Sequence, residues 1–246
     1  MNNSLAVEHL TKSYSGKIVL DDISIEFLKS KVNMVIGASG SGKSTLLKCL
    51  VGLTEPDSGK ILYHGRNLIE MNYEEKKEIR QQIGMLFQGG ALFDSLTVGE
   101  NIAFPLRMFS KMSKKEIAER VAFCLERVNM PGVEKKYPSE LSGGMRKRVG
   151  IARAIALNPQ YLFCDEPNSG LDPLTSIVID ELIAEITEEY GITTIVNTHD
   201  MHSVLEIGDK IIFIHEGKKH WEGNKYELRE VDEPIIKKFV FASKRG

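Results

Sequence analysis

Cysteine and tryptophan are scarce in this chain of 246 residues, which contains three cysteines and one tryptophan. The cysteines, Cys49, Cys124 and Cys164, are odd in number, lie in apolar stretches and form no CxxC pair. Even sets and paired spacings are what mark disulfide frameworks and many zinc sites. The sequence therefore predicts buried free thiols in a protein of a reducing compartment.

Long apolar runs and a strong charge imbalance are absent as well. No window approaches the roughly 18–20 apolar residues that a membrane-spanning helix needs, and the opening MNNSLAVEHL lacks the regions of a signal peptide. We expect a cytoplasmic protein that reaches a membrane only through a partner. The net charge of -2 gives no reason to expect nucleic acid as a partner. Local basic clusters are interpreted as solvated faces; they are Arg146–Arg148, Lys237, Lys238, Lys244 and Arg245.

What is present is a globular balance, with 42% hydrophobic and 27% charged residues. Short strand patterns fill residues 5–36, and strand and helix patterns alternate again from Tyr161 onwards. That alternation indicates a mainly parallel sheet covered on both faces. Ile61 and Tyr63 followed by His64-Gly65 predict a hairpin with an antiparallel partner.

Helix boundaries are marked along the middle and the second half of the chain. Thr97 with Glu100, and Ser113 with Glu116, are capping-box patterns. A third helix is expected to begin near Ser142. The helical block of about residues 89–157 interrupts the strand pattern, so a separate helical subdomain is predicted. Further along, Asp172-Pro173 predicts a helix start and Gly191 a helix end.

The stretch GASGSGKST, Gly37–Thr45, lies between an apolar strand and an apolar helix start. It fits GxxxxGK[ST], in which glycines let backbone N–H groups approach phosphate oxygens and the helix N-terminus adds a positive dipole end. Lys43 can reach the β- and γ-phosphates, and the Ser44 hydroxyl can bind Mg²⁺. The loop predicts a triphosphate site, which kinases, GTPases, helicases and transport ATPases all share.

Three further stretches carry chemistry. YLFCDEP is a strand that ends at Asp165 and Glu166; Asp165 would hold Mg²⁺ through water, and Glu166 would polarise an attacking water. The stretch LSGGMRKRV opens a helix with Ser142–Gly144, whose exposed N–H groups form a second anion site. IVNTHD ends a strand at His199, which is placed to contact a γ-phosphate.

Taken in order, these motifs resemble the ATP-binding cassette (ABC) superfamily over about residues 5–239. The resemblance implies an α/β fold with a P-loop NTPase (RecA-like) core, a small antiparallel β-subdomain and an inserted helical subdomain. It implies one domain, 1–246, in which 1–88 and 158–246 form the core and β-subdomain and 89–157 form the helical signature subdomain. The matching residues are Tyr14, Gly37–Thr45, Gln88, Leu141–Met145, Tyr161–Asp165, Glu166, Ser169–Asp172 and His199.

The resemblance also implies a head-to-tail homodimer that holds two ATP molecules and Mg²⁺, each ATP lying between one phosphate loop and the other subunit's signature LSGGM. Tyr14 would stack on adenine, and Asp172 would couple the two sites, although a plain helix cap also accounts for it. The implied catalytic residues are Glu166, His199 and Gln88, and the implied metal-binding residues are Ser44, Gln88 and Asp165. The implied nucleotide-binding residues are Tyr14, Gly37, Ala38, Ser39, Gly40, Ser41, Gly42, Lys43, Ser44, Thr45, Ser142, Gly143, Gly144 and Asp172.

Three positions depart from the common family pattern. The signature ends in Met145 where glutamine is usual, which removes one polar side chain from that loop. Gly170 replaces an alanine, and Ser30-Lys31 replaces Gly-Glu. The stretches QGGALFDSLTVGENIAFPLR, LSGGMRKRVGIARAIALNP and EPIIKKFV resemble the ATPase subunit of Mla-type phospholipid transporters.

That resemblance implies membrane permease subunits and a mammalian-cell-entry-type lipid-binding protein as partners, on the cytoplasmic face of an inner membrane. Closure of the dimer would move the permease through the helical subdomain, near Phe93 and Leu96. A transporter of another solute, such as an amino acid or a metal chelate, differs only in the partner. An ATP-driven clamp on DNA or ribosomes is disfavoured, because the chain has a single cassette and no coiled-coil insertion.

Overall fold

Two β-sheets organise the protein, whose computed structural model describes the backbone of residues 5–243 and the side chains of residues 5–240. The strands are β1 Leu5–Tyr14, β2 Lys17–Glu26, β3 Val32–Ile36, β4 Ser58–Tyr63, β5 Arg66–Asn67, β6 Ile83–Leu86, β7 Tyr161–Asp165, β8 Thr193–Thr198, β9 Lys210–His215 and β10 Lys218–Gly223. The helices are α1 Lys43–Leu50, α2 Tyr73–Gln81, α3 Val98–Phe109, α4 Lys114–Arg127, α5 Gly143–Ala154, α6 Pro173–Tyr190, α7 Met201–Ile207, α8 Lys225–Glu230 and α9 Pro234–Ser243, with a short 3₁₀ turn at Pro138–Glu140.

The larger sheet has six strands in the order β10-β9-β3-β8-β7-β6. Its strands β9, β3, β8, β7 and β6 run parallel, and β10 pairs antiparallel with β9 at one edge. Strand β3 is fully buried along its length, as expected for a strand with both faces covered. The carboxyl ends of β3, β6, β7 and β8 therefore meet at one edge of the sheet, where ligands of parallel sheets bind.

The smaller sheet is antiparallel, in the order β2-β1-β4-β5. Its last hairpin turns at His64 and Gly65, which have φ angles of 51° and 78°. Two successive positive φ angles are typical of the type I′ turn, whose twist matches that of the flanking strands. The predicted hairpin is confirmed, and this sheet packs with α1 around Leu46 and Leu47 in one of the two hydrophobic cores.

The helices between β6 and β7 begin where the sequence predicts. The side chains of Thr97 and Ser113 accept the N–H groups of Glu100 and Glu116, which complete two capping boxes. Helix α5 begins directly after Ser142. These features confirm the predicted fold class, an α/β P-loop core with a small antiparallel sheet and helices inserted between two strands; the exact division at residues 88/89 and 157/158 stays a prediction.

The three cysteines are buried and free, as predicted. Burial raises the pKa of the Cys49 and Cys124 thiols to about 11 and that of Cys164 to about 12. No helix within residues 5–243 combines the length and hydropathy that crossing a bilayer requires. Lys244 and Arg245, assigned above to a solvated basic tail, lie outside the described residues.

Candidate functional site

A cleft with a volume of about 630 Å³ opens where β3, β6, β7 and β8 end at the edge of the larger sheet. Its floor is the loop between β3 and α1, and its far side carries residues from the ends of β6, β7 and β8. The residues that line it are Val19, Ala38, Ser39, Gly40, Gly42, Lys43, Ser44, Thr45, Gln88, Glu166, His199 and Phe239. Most of the residues predicted to hold phosphate and to act in catalysis are therefore brought together.

Glycines give the loop its path against the neighbouring strands. Gly42 has a φ angle of 108°, and a Cβ there would lie 2.7 Å from the carbonyl oxygen of Val19. Gly37 is equally constrained, because its Cβ would lie 2.2 Å from the carbonyl oxygen of Ile214. The loop can lie this close to β2 and β9 only because these two positions have no side chain. This path leaves the backbone N–H groups of the loop and the first turn of α1 open to an anion.

Lys43 is buried at the start of α1 and points back into the loop. Its Nζ donates to the carbonyl oxygens of Gly37 at 2.8 Å and Ala38 at 3.1 Å. Burial lowers the pKa of Lys43, an effect that the nearby carboxylates of Glu166 and Asp165 oppose. The ammonium therefore lies at the cleft with few competing partners, in a position to take a phosphate oxygen.

Ser44 and Asp165 form a small oxygen cluster beside the loop. The Ser44 hydroxyl donates to Oδ1 of Asp165 at 3.3 Å, and Asn197 Nδ2 donates to the same oxygen at 3.3 Å. Among the described residues, no group of three or more His, Cys, Asp or Glu side chains could hold a metal by itself. A Mg²⁺ ion that binds with a nucleotide takes most of its ligands from phosphate and water, so two protein oxygens suit it.

Glu166 follows β7, and its side chain faces the cleft. His199 Nδ1 lies 2.9 Å from Glu166 Oε2. The backbone of Glu166 has a φ angle of 48°, in the left-handed region that non-glycine residues rarely adopt. Its N–H donates to the carbonyl oxygen of Asn197 at 2.9 Å, which ties this turn to β8. A carboxylate beside an imidazole in a phosphate-binding cleft is suited to orient and polarise a water.

Gln88 comes from the loop after β6, and its Nε2 donates to the Ser169 hydroxyl at 3.1 Å. The interpretation of Arg146–Arg148 as a solvated face is wrong for Lys147, which is only 4% exposed. Its ammonium donates to the carbonyl oxygens of Gln88 and Glu166. Sequence reasoning missed this residue, because a basic run alone does not tell which member lies on the buried side of a helix.

Ser142, Gly143, Gly144 and Asp172 are not among the residues that line this cleft. Ser142 caps α5 by accepting the Met145 N–H at 3.3 Å, and Gly144 is so close to α6 that a Cβ would lie 2.4 Å from Thr175 Cγ2. Asp172 caps α6, as its cap interpretation predicts; Thr175 donates to both carboxylate oxygens, which lowers the pKa of Asp172. The predicted second anion site at Ser142–Gly144 is therefore separate from the cleft of the same chain.

The positions of two aromatic residues, Tyr14 and Phe239, bear on the cleft. Tyr14, predicted to stack on adenine, is half-exposed at the end of β1 with Lys12 Nζ 5.3 Å from its ring centroid, and it is not among the lining residues. Phe239 of α9 does line the cleft, and its ring centroid lies 5.3 Å from that of Phe213. No pattern in the sequence predicts that a helix near the end of the chain returns to this edge.

Comparison with known proteins identifies the family. The family model described as ABC transporter matches residues 20–169. The chain is 38% identical over all of its residues to a probable ribonucleotide transport ATP-binding protein, mkl, of Mycobacterium leprae, and covers 71% of that protein. It is also 40% identical, over 96% of its length, to the methionine import ATP-binding protein MetN of Geobacillus kaustophilus, of which it covers 70%.

Solved structures agree with the sequence comparisons. CbiO1 from Clostridium perfringens, described as part of the ABC transporter complex cbiONQ, is 31% identical, with a TM-score of 0.85 over 100% of this chain and 97% of that one. The ATP-binding cassette MJ0796, in a dimeric post-hydrolysis state bound to ADP and Pi, is 30% identical, with a TM-score of 0.83 over 90% of this chain and 98% of that one. The chain belongs to the ABC transporter family of ATP-binding, ATP-hydrolysing motor subunits.

Proposed function

We propose that two copies of this chain bind two ATP molecules head to tail and drive a membrane permease that moves phospholipid. The carrying observation is the split site: the phosphate loop, Gln88, Glu166 and His199 line one cleft, whereas Ser142–Gly144 are not among its lining residues. A second copy turned by two-fold symmetry can bring its Ser142–Gly144 to this cleft. The dimeric form of MJ0796 supports that arrangement.

In the proposed mechanism, the loop from Gly37 to Thr45 and the Lys43 ammonium hold the β- and γ-phosphates. Ser44, Asp165 and Gln88 would hold Mg²⁺, which would supply positive charge against the charge that develops on the phosphate oxygens. Glu166 accepts a hydrogen bond from the attacking water and takes its proton as the water oxygen bonds to the γ-phosphorus; the bond to the β–γ bridging oxygen breaks, and ADP leaves. His199 steadies both Glu166 and the γ-phosphate. Tyr14 stacks on the adenine, and Asp172 couples the two sites at the dimer interface.

An exposed apolar patch between Gln88 and the end of α3 suits the contact with a permease. The patch consists of Phe93, Phe104 and Met108, which are 44%, 37% and 58% exposed, and the Phe93 and Phe104 rings lie 4.8 Å apart. Phe93 is held by Asn101, whose side chain hydrogen-bonds to both backbone groups of Phe93. Because the patch follows Gln88 along the chain, movement around the γ-phosphate can reach it.

Phospholipid is proposed as the cargo on the stretches that resemble Mla-type ATPases: residues 88–107, 141–159 and 233–240. These include the departure at Met145, which follows the signature glycines. Such a motor would act on the cytoplasmic face of the membrane with permease subunits and a mammalian-cell-entry-type lipid-binding protein. The proposal concerns the partner; the hydrolysis site is the same for any cargo.

Transport of another solute is the second candidate, and the names of the relatives are the observation behind it. Proteins named for methionine import are 39–44% identical to this chain, and those named for ribonucleotide transport are 38% identical. Similar identity to proteins of different named cargo means that the motor's sequence alone does not select the cargo. The identity of the permease that co-purifies with the chain would distinguish the two candidates.

The test is purification of the tagged full-length chain from detergent-solubilised membranes, with mass spectrometry of bound proteins and lipids. The proposal predicts a permease, a mammalian-cell-entry-type protein and phospholipid, in amounts that fall when Phe93 is changed to serine. Tyr226→Ser, at a 67% exposed aromatic residue of α8, serves as the matched control. A different permease with a periplasmic solute-binding protein would contradict the phospholipid cargo and leave the ATPase assignment unchanged.

A further inference from the structure

Lys147 is a buried cation that the proposed mechanism leaves without a task. It lies on α5, five residues after the Ser142 cap, and its side chain is 4% exposed. Its Nζ donates to the carbonyl oxygen of Gln88 and, at 3.1 Å, to the carbonyl oxygen of Glu166. One ammonium therefore joins the helix that follows the signature to the loop after β6 and the turn after β7.

Packing alone does not account for a lysine at this place. Removing an ammonium from water costs several kcal/mol, and an apolar side chain of similar length avoids that cost. Here burial lowers the pKa of Lys147, while the nearby carboxylates of Glu166 and Asp165 oppose the effect. The carbonyl oxygens of Gln88 and Glu166 offset part of the cost of burying this cation, and these two contacts are the distinctive property of the position.

The Glu166 contact bears on catalysis because the backbone of Glu166 is strained. A non-glycine residue at a φ angle of 48° costs about 1 kcal/mol or more and persists only where its surroundings enforce it. Its N–H donates to Asn197, and its carbonyl accepts from Lys147 and from the Ser169 N–H at 3.2 Å. The direction of the Glu166 side chain therefore depends on Lys147, which holds the carbonyl of this residue, and on β8, which holds its N–H.

We propose that Lys147 is a positioning residue for ATP hydrolysis, which fixes Gln88 and Glu166 relative to each other and to α5. This inference rests on the proposed roles of Gln88 and Glu166. Since α5 begins at Ser142–Gly144, the same ammonium connects the surface offered to the partner's nucleotide with the hydrolysis site of its own subunit. A shift of α5 on dimer closure would then move Gln88 and Glu166 together.

The test compares steady-state ATP hydrolysis and ATP binding for full-length Lys147→Met, Lys147→Arg and the wild type. Met fills the space without a donor, whereas the Arg guanidinium can donate to two carbonyls. We expect Lys147→Met to lower kcat about tenfold or more, with KM and ATP affinity within about threefold, and Lys147→Arg to restore most of the loss. Lys115→Met, the same change at an exposed lysine of α4, is the control for removal of a charge.

Wild-type kcat in Lys147→Met would overturn the inference. So would a parallel loss of ATP affinity and kcat, or an Arg variant as slow as the Met variant, since either indicates packing rather than positioning. If Lys147→Met does not fold, Lys147→Leu, which is also apolar and without a donor, gives the same comparison of kcat with KM. Glu166→Gln measured alongside separates the failures: full activity there would overturn the assigned base, whereas lost activity there with wild-type kcat in Lys147→Met would overturn only the positioning role.

Discussion

His199 Nδ1 and Glu166 Oε2 lie 2.9 Å apart, at the ends of two adjacent parallel strands, β8 and β7. The sequence places these residues 33 positions apart, and the parallel pairing brings them together. The imidazole is exposed towards the cleft, whereas the carboxylate is mostly enclosed. The imidazole of His199 is therefore the group that faces the nucleotide site, and it holds the Glu166 carboxylate in place.

Replacing His199 by alanine should slow hydrolysis without weakening ATP binding. The imidazole orients the Glu166 carboxylate and contacts the γ-phosphate in the proposed mechanism, so its loss acts on the reaction step. We expect kcat to fall at least tenfold, with ATP affinity within about threefold. His202→Ala, at an exposed residue three positions later, is the control. Equal turnover in the two variants would show that His199 has no part in the reaction.

Lys43→Ala should act on binding instead. The loop would lose the cation that meets the phosphates, and ATP affinity should fall at least tenfold in equilibrium titration. Stability without nucleotide should change less, because removal of a buried ammonium offsets the loss of its hydrogen bonds to Gly37 and Ala38. Lys48→Ala, at an exposed lysine of the same helix, should bind ATP normally. Unchanged affinity in Lys43→Ala would contradict the assignment of the phosphate loop.

Local signals in the sequence locate much of the fold because each rests on a backbone requirement. Asp172-Pro173 begins α6 because the carboxylate accepts the orphan Thr175 N–H and proline needs no partner at the first helical position. Gly191 ends the same helix at a φ angle of 61°, where a Cβ would be unfavourable. The same kind of signal occurs at α2, where Asn72 and Glu75 form a capping box. This helix start was not predicted above.

Long-range contacts could not be predicted in this way. Lys147 is buried because of how α5 packs on the ends of β6 and β7, and the basic run around it carries no trace of that packing. Phe239 reaches the cleft because α9 packs on β9 through Phe213, which brings it to a phosphate loop that lies about two hundred residues earlier in the chain. Motif residues follow from local chemistry, whereas the side chains that support them follow from the tertiary fold.

Asp180 makes stability depend on pH. It is buried on α6, where Asn168 Nδ2 donates to its Oδ1 at 2.8 Å, and burial raises its pKa from 3.8 to about 6. The folded state therefore binds this proton more tightly than the unfolded state does. The stability that results is full below about pH 4 and is lost as the pH rises through about 6.

Asp180→Asn, which cannot ionise, should therefore gain stability over the wild type as the pH rises. We expect the difference in unfolding free energy to grow by about 1–3 kcal/mol between pH 4.5 and pH 7.5 in denaturant titrations. Asp94→Asn, at an exposed aspartate, is the control. A difference between Asp180→Asn and the wild type that does not vary with pH would contradict the cost assigned to the buried carboxylate.

In the proposed mechanism, the hydrolysis site is completed across a dimer. The variant Glu166→Gln tests this arrangement most directly. This variant keeps the phosphate loop and loses the carboxylate that polarises water, so ATP should bind and remain intact. In sedimentation experiments, the Glu166→Gln protein should be a dimer with Mg-ATP and a monomer with Mg-ADP. The double variant Glu166→Gln, Lys43→Ala should be a monomer with Mg-ATP. A Glu166→Gln protein that binds ATP with wild-type affinity and remains monomeric would contradict the shared site.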